Sequence, residues 1–183
     1  MHKTSKVTPI AVSAAYRVHQ FASAMLPRVS PDDLREADAL LPPGAHPLFR
    51  QMSFSDQYHS LKVMRTLHRQ GHTETDLLAA ALLHDVGKSA APITPLHRTL
   101  IVLSRRFAPG LLAWLTRGDP RGWRKPFVIH RRHSEIGALW AAQAGCSVLT
   151  VSLIRRHQEP LCREPENEEE RLLVALERAD GVN

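Results

Sequence analysis

Cysteine is nearly absent: Cys146 and Cys162 are the two in 183 residues, and neither sits in a C-x-x-C pair. A disulfide framework is excluded, and reduced thiols in a cytoplasmic protein are the expected state. Aromatics make up 5% of the chain, and Thr and Tyr are sparse beside Ala and Leu, which disfavours a strand-rich fold. No Gly-rich phosphate loop, no G-x-S-x-G turn and no internal repeat occurs, which removes P-loop nucleotide binding, the serine nucleophile elbow and solenoids. Long uninterrupted apolar runs are also missing. Residues 136–154 carry no formal charge, but Gln143, Ser147, Thr150 and Ser152 lie within them and Gly145-Cys146-Ser147 reads as a helix stop and restart, so two core helices are expected and no membrane partner. Residues 1–15 have early bases at Lys3 and Lys6, but Thr8, Pro9 and Ser13 break the apolar stretch, which suits an amphipathic helix better than a signal peptide.

What is present points to one globular domain: 43% hydrophobic and 23% charged residues in a chain of ordinary domain length. Eleven histidines stand out against 3 Trp and 2 Tyr. The net charge of +6 is unevenly spread. Residues 97–132 hold nine bases and one acid, Asp119, whereas residues 163–180 hold seven acids and three bases. A basic stretch beside a pocket attracts phosphate-bearing substrates; on a bare surface it suits nucleic acid or anionic lipid.

Helical periodicity runs nearly throughout, punctuated by Pro and Gly. Helices are expected at 8–26 and from the Ser30-Pro31 cap to a stop before Leu41-Pro42-Pro43-Gly44, forming an N-terminal helical extension over 1–50. Its helices either pack on the main domain, 51–183, or pair two copies as a homodimer. In the main domain, helices are expected at 55–70 with Gly71 as the terminator, and from a Thr73/Asp76 capping box to Gly87. Others are expected at 96–106, 110–117, 134–144, 147–157 and 168–180, with a loop around Trp123.

Several ionisable residues occupy positions where these helices expect apolar ones. His59 shares a face with Val63 and Leu67, His84 with Ala80 and Leu77, His157 with Leu153 and Ile154, and Asp180 with Leu176 and Leu173. Burying unpaired charge is costly, so four inward-facing ionisable groups need partners, and a shared metal ion satisfies them together. His84 and Asp85 can both reach an ion near the helix end, and a carboxylate can bridge two ions. Lys88, one turn beyond, either holds a phosphate oxygen or complements the helix C-terminus.

The stretch Ala80-Ala81-Leu82-Leu83-His84-Asp85-Val86-Gly87-Lys88 resembles the signature of the HD-domain superfamily of metal-dependent phosphohydrolases, whose pattern is H…HD…D on an all-α scaffold. His59 matches its first histidine and Asp180 its final aspartate. His133-Ser134-Glu135-Ile136-Gly137-Ala138 resembles the H-x-E-x-G-A segment of the dinuclear branch, and residues 153–160 resemble the next helix, ending in His157. The resemblance implies an all-α helical bundle in which His59, His84, Asp85 and Asp180 hold one metal and Asp85, His133 and His157 a second. His130 competes with His133, which the Glu135, Gly137 and Ala138 context favours.

The implied function is a phosphohydrolase that cleaves a phosphate ester or anhydride, with a nucleotide-like substrate, by metal-activated hydroxide. Asp85 and Lys88 are its catalytic candidates. Imidazole and carboxylate ligands without thiolate suit two iron or manganese ions, with zinc, cobalt or nickel able to substitute. Arg131, Arg132, Arg155 and Arg156 are candidates for substrate phosphate, and Asp56 either orients His59 or supplies charge at its helix start. Trp123, Phe127 and Trp140 either stack on a base or belong to the core. The chain lacks the G-Y-P element of cyclic di-guanylate phosphodiesterases. Its ligand order resembles HD-type hydrolases of diadenosine tetraphosphate, but the Pro- and Arg-rich insertion before His133 does not. Two rival readings are a catalytically silent nucleotide-binding signalling module and a nucleic-acid-associated protein acting through residues 97–132.

Overall fold

A computed structural model describes residues 29–91, 94–118, 122–159 and 164–183. The helix expected at 8–26 and Cys162 lie outside them. The described residues are helical with no strand. The helices are α1 (Pro31–Leu40), α2 (His46–Arg50), α3 (Phe54–Arg69), α4 (Thr75–Leu83), α5 (Pro95–Phe107), α6 (Pro109–Leu115), α7 (Lys125–Gln143), α8 (Val148–Arg156) and α9 (Glu168–Gly181), with a 3₁₀ turn at Val86–Ala90 between α4 and α5. No described helix is long and apolar enough to cross a membrane.

The architecture is organised by α4. Leu77 to Leu83 are all buried, because this helix is apolar on every side and must be surrounded. It packs against α1, α2, α3, α8 and α9. Each buried leucine of α4 contributes about 2 kcal/mol from the apolar surface it removes from water. Ala37, Leu41, Ala45, Phe49 and Met52 join the same core as Leu61, Leu82, Leu153 and Leu176, so Ala37, Leu41, Ala45 and Phe49, expected within the extension, share one interior with the rest. Ile101, Leu115 and Phe127 make a separate small cluster under α5 and α6.

Local chemistry explains most helix boundaries. Ser30 and Asp33 close a capping box at α1, with Pro31 in the first turn. Ser53 accepts from the Asp56 N–H at α3, and Ser147 from the Thr150 N–H at α8. Gly71 has φ +94° just past α3, the left-handed conformation that favours glycine there. Three expectations are corrected. Asp76 makes no capping box with Thr73; α4 starts after Glu74, and the Asp76 carboxylate accepts from the Ser147 and Thr150 hydroxyls, tying α4 to the start of α8. Gly87 does not close α4, which ends before His84; it lies inside the 3₁₀ turn. The helix expected from residue 134 begins at Lys125, with Pro126 in its first turn, so His130 to His133 are mid-helix. Proline opens that helix because the first turn needs no N–H from it.

Candidate metal centre

α4 runs straight into His84, whose ring is buried and whose Nδ1–H donates to the Ala81 carbonyl at 2.9 Å. A carbonyl can only accept, so Nδ1 holds a proton and Nε2 faces the interior. That Nε2 has no hydrogen-bond partner and sits 3.5 Å from Asp85 Oδ2 and 3.5 Å from Asp180 Oδ1. Burial opposes a charge on the ring, but the two carboxylates outweigh it and push the His84 pKa up to about 10. The spot between them demands positive charge.

The same backbone device recurs on α7 and α8. His133 Nδ1–H donates to the His130 carbonyl at 2.6 Å, and His157 Nδ1–H to the Ile154 carbonyl at 2.7 Å. Their Nε2 atoms lie 3.3 Å apart, with His133 Nε2 also 3.2 Å from Asp85 Oδ1. Burial, reinforced by positive charge at His84, pulls the His157 pKa down to about 3. Its Nε2 lone pair is therefore bare across the working pH range, the state a metal ligand requires.

From α3, His59 Nε2–H donates to Asp180 Oδ1 at 2.7 Å. Burial works against the Asp180 charge, yet the hydrogen bond from His59 and the positive charge at His84 hold its carboxyl well below the usual range. Asp85 is buried too, and His84, His133 and Lys88 keep it ionised against that cost. Lys88, half-buried, donates to Asp85 Oδ2.

These side chains form two trios whose ligand atoms lie within 4.8 Å of one another: His59, His84 and Asp180, and Asp85, His133 and His157. Asp85 stands between them, one oxygen toward His84 and the other toward His133. A divalent cation fits each trio: the orphaned His84 Nε2, the bare His157 Nε2 and the ionised carboxylates are its donor set, hard and borderline, without sulfur.

Glycine makes this convergence feasible. A Cβ on Gly87 would fall 2.0 Å from the His133 carbonyl oxygen, and one on Gly137 would fall 3.1 Å from a Val86 methyl. Without side chains, the 3₁₀ turn and α7 meet backbone to backbone, which brings Asp85 against His133.

All six residues expected as ligands converge here, and His130 does not. Its ring stacks against His133 at 5.7 Å between centroids and lines a separate pocket of about 400 Å³ with Ile101, Leu112, Thr116, Arg131 and Gln158. A cleft of about 390 Å³ opens directly over Asp85, His59 and Lys88, walled by Ser55, Asp56, Tyr58, Lys62 and Asn183. Of the four arginines considered for substrate, Arg131 belongs to the other pocket, Arg132 and Arg155 are exposed, and Arg156 is paired with Glu169 at 2.6 Å and Glu159 at 3.3 Å. Asp56 accepts from the Ser53 hydroxyl at 2.6 Å at the start of α3. Phe127 is buried, Trp140 packs on the main core, and Trp123 is exposed. Sequence reasoning missed Lys62 and Tyr58, although Lys62 sits three residues beyond His59, the spacing that puts two side chains on one helix face.

No curated protein and no solved structure matches the chain. Residues 57–182 match the HD domain family, a span that includes all six converging residues, and the chain belongs to that family.

Proposed function

We propose that the protein is a metal-dependent phosphohydrolase acting on a phosphate ester or anhydride in the cleft over Asp85. The observation that carries this reading is the position of Asp85 between two trios of metal-type donors at the floor of a polar cleft. His59, His84, Asp85 and Asp180 would hold one ion, and Asp85, His133 and His157 the other. Two divalent ions so placed supply Lewis acidity and a water ionised near neutral pH.

The chain's own residues do the rest. Asp85 fixes the spacing between the two trios, and the backbone carbonyls of Ala81, His130 and Ile154 lock three imidazoles with Nε2 inward. Lys88 offers an ammonium at the cleft floor, and Lys62 a second at its wall. Two cations in a polar cleft suit the non-bridging oxygens of a phosphoryl group, with Tyr58 flanking the remainder of a nucleotide-like substrate. Donors of imidazole and carboxylate favour iron or manganese.

The test is turnover of a panel of nucleotides, dinucleoside polyphosphates and aryl phosphates by metal-loaded protein, with Asp85→Asn as control. Hydrolysis lost in the variant, at an unchanged circular dichroism spectrum, is the expected result. Equal turnover by both proteins would refute the role of Asp85.

A further inference from the structure

α5 presents an apolar stripe that the fold does not use. Leu96, Leu100, Leu103 and Phe107 recur at i, i+4, i+7 and i+11, one face of a helix, and all four are exposed, Phe107 at 74%. The core takes Ile101 and Ser104 from a different face of the same helix. Leu111 and Trp114 on α6 and Trp123 beyond it are exposed too, with the Trp123 ring 6.3 Å from Trp114. Bases are set among these side chains: Arg106 lies over the Phe107 ring at 5.4 Å and Arg124 over the Trp114 ring at 4.6 Å.

We infer that the α5–α6 hairpin is a docking surface for an anionic lipid bilayer, with Leu100, Leu103, Phe107 and Trp114 entering the interface and the surrounding arginines meeting lipid phosphates. Charge decides the occupant. Residues 97–132 hold nine bases against one acid, which complements an anionic surface. A second copy meeting the first through this face sets those bases against each other. Single-stranded nucleic acid shares the charge preference but binds through aromatic stacking. Here Leu96, Leu100, Leu103 and Leu111 stand exposed alongside Phe107, Trp114 and Trp123, and aliphatic side chains gain from acyl chains, not from bases. An amphipathic helix with a basic flank and interfacial Trp lies in the plane of a membrane. No described helix is long and apolar enough to cross a membrane, so the binding argued here is peripheral.

The experiment is co-sedimentation of the full-length protein with vesicles of phosphatidylcholine alone and of phosphatidylcholine with about 30% phosphatidylserine. Binding to the anionic vesicles, weak or absent on phosphatidylcholine alone and falling as salt is raised, is expected. Leu103→Glu combined with Phe107→Glu, and separately Arg106→Glu with Arg117→Glu, are each expected to weaken it by about tenfold or more. Both pairs are exposed, so melting temperature and metal content should not move. Tryptophan emission of the unmodified protein is a check that needs no variant: it should shift to shorter wavelength on anionic vesicles. Overturning results are no anionic vesicle binding, equal binding to phosphatidylcholine alone, or binding indifferent to both variant pairs. Vesicle-negative protein that binds polyuridylate, or that self-associates until Leu103→Glu/Phe107→Glu separates it, would assign the face to nucleic acid or to a second copy instead.

Discussion

Gly87→Ala adds one methyl group at the point where the 3₁₀ turn touches α7. The new Cβ falls 2.0 Å from the His133 carbonyl oxygen, 2.8 Å from its carbon and 2.9 Å from the Gly137 nitrogen. Ordinary carbon–oxygen contact begins above about 3 Å, so the overlap is roughly 1 Å, and every atom struck is backbone. No rotamer change relieves it; the turn and α7 must separate. Overpacking a core commonly costs about 1–3 kcal/mol, and a clash confined to backbone belongs at the top of that range. The separation also stretches the 3.2 Å approach of His133 to Asp85, so metal affinity at the second trio should fall with stability. Urea denaturation with metal analysis on the same samples reads both. Gly181→Ala is the control, because nothing lies within 4 Å of its added Cβ and its φ is ordinary. A Gly87→Ala protein with the midpoint and metal content of the parent would refute the close-approach argument.

Other expectations are briefer. His157→Gln should remove one donor from the second trio and leave His59, His84 and Asp180 intact, so metal content falls by about one ion per chain on mass spectrometry while the fold persists; loss of both ions would contradict separable trios. Leu82→Ala, fully buried in the last turn of α4, should cost about 3–5 kcal/mol in urea denaturation. Arg65 bonds Asp33 and Glu36, and hydrogen bonds from Arg65 and Ser30 pull the Asp33 pKa from 3.8 to about 2. A depressed carboxylate stabilises the fold above its unfolded pKa and loses that contribution as pH falls through the folded value. Because the Arg65 side chain is 41% exposed, solvent screening cuts the contribution to about 1 kcal/mol. Arg65→Met should therefore lower stability by about that much at pH 7 and by little near pH 2; a deficit independent of pH would point to lost packing instead.

Much of the site was legible before any coordinates. His59, His84, His157 and Asp180 betray themselves as polar residues on apolar helix faces, and the structure turns each one inward. Asp85 was legible from its place beside His84 at a helix end. His133 was separable from His130 only through the residues that follow it. The structure supplies the physical reason: Gly137, one turn on, admits the 3₁₀ turn, and the mid-helix register points His133 at Asp85 while His130 faces the neighbouring pocket. What sequence reasoning misplaced follows from competing uses of one residue type. Pro126 reads as a breaker yet starts α7, and Asp76 reads as a cap yet anchors α8. α2 was invisible because five residues carry no periodicity. Lys62 carried a local signal in its spacing from His59, whereas the place of Tyr58 on the cleft wall is a tertiary fact without one.

The central claim is that Asp85 links two metal sites, and metal content per chain tests it most directly. Mass spectrometry of the full-length protein, purified without chelator or added metal and again after reconstitution with iron or manganese, is the measurement. The account predicts close to two ions per chain, one for each trio, and about one in His157→Gln. Protein that binds no ion even after reconstitution would contradict it.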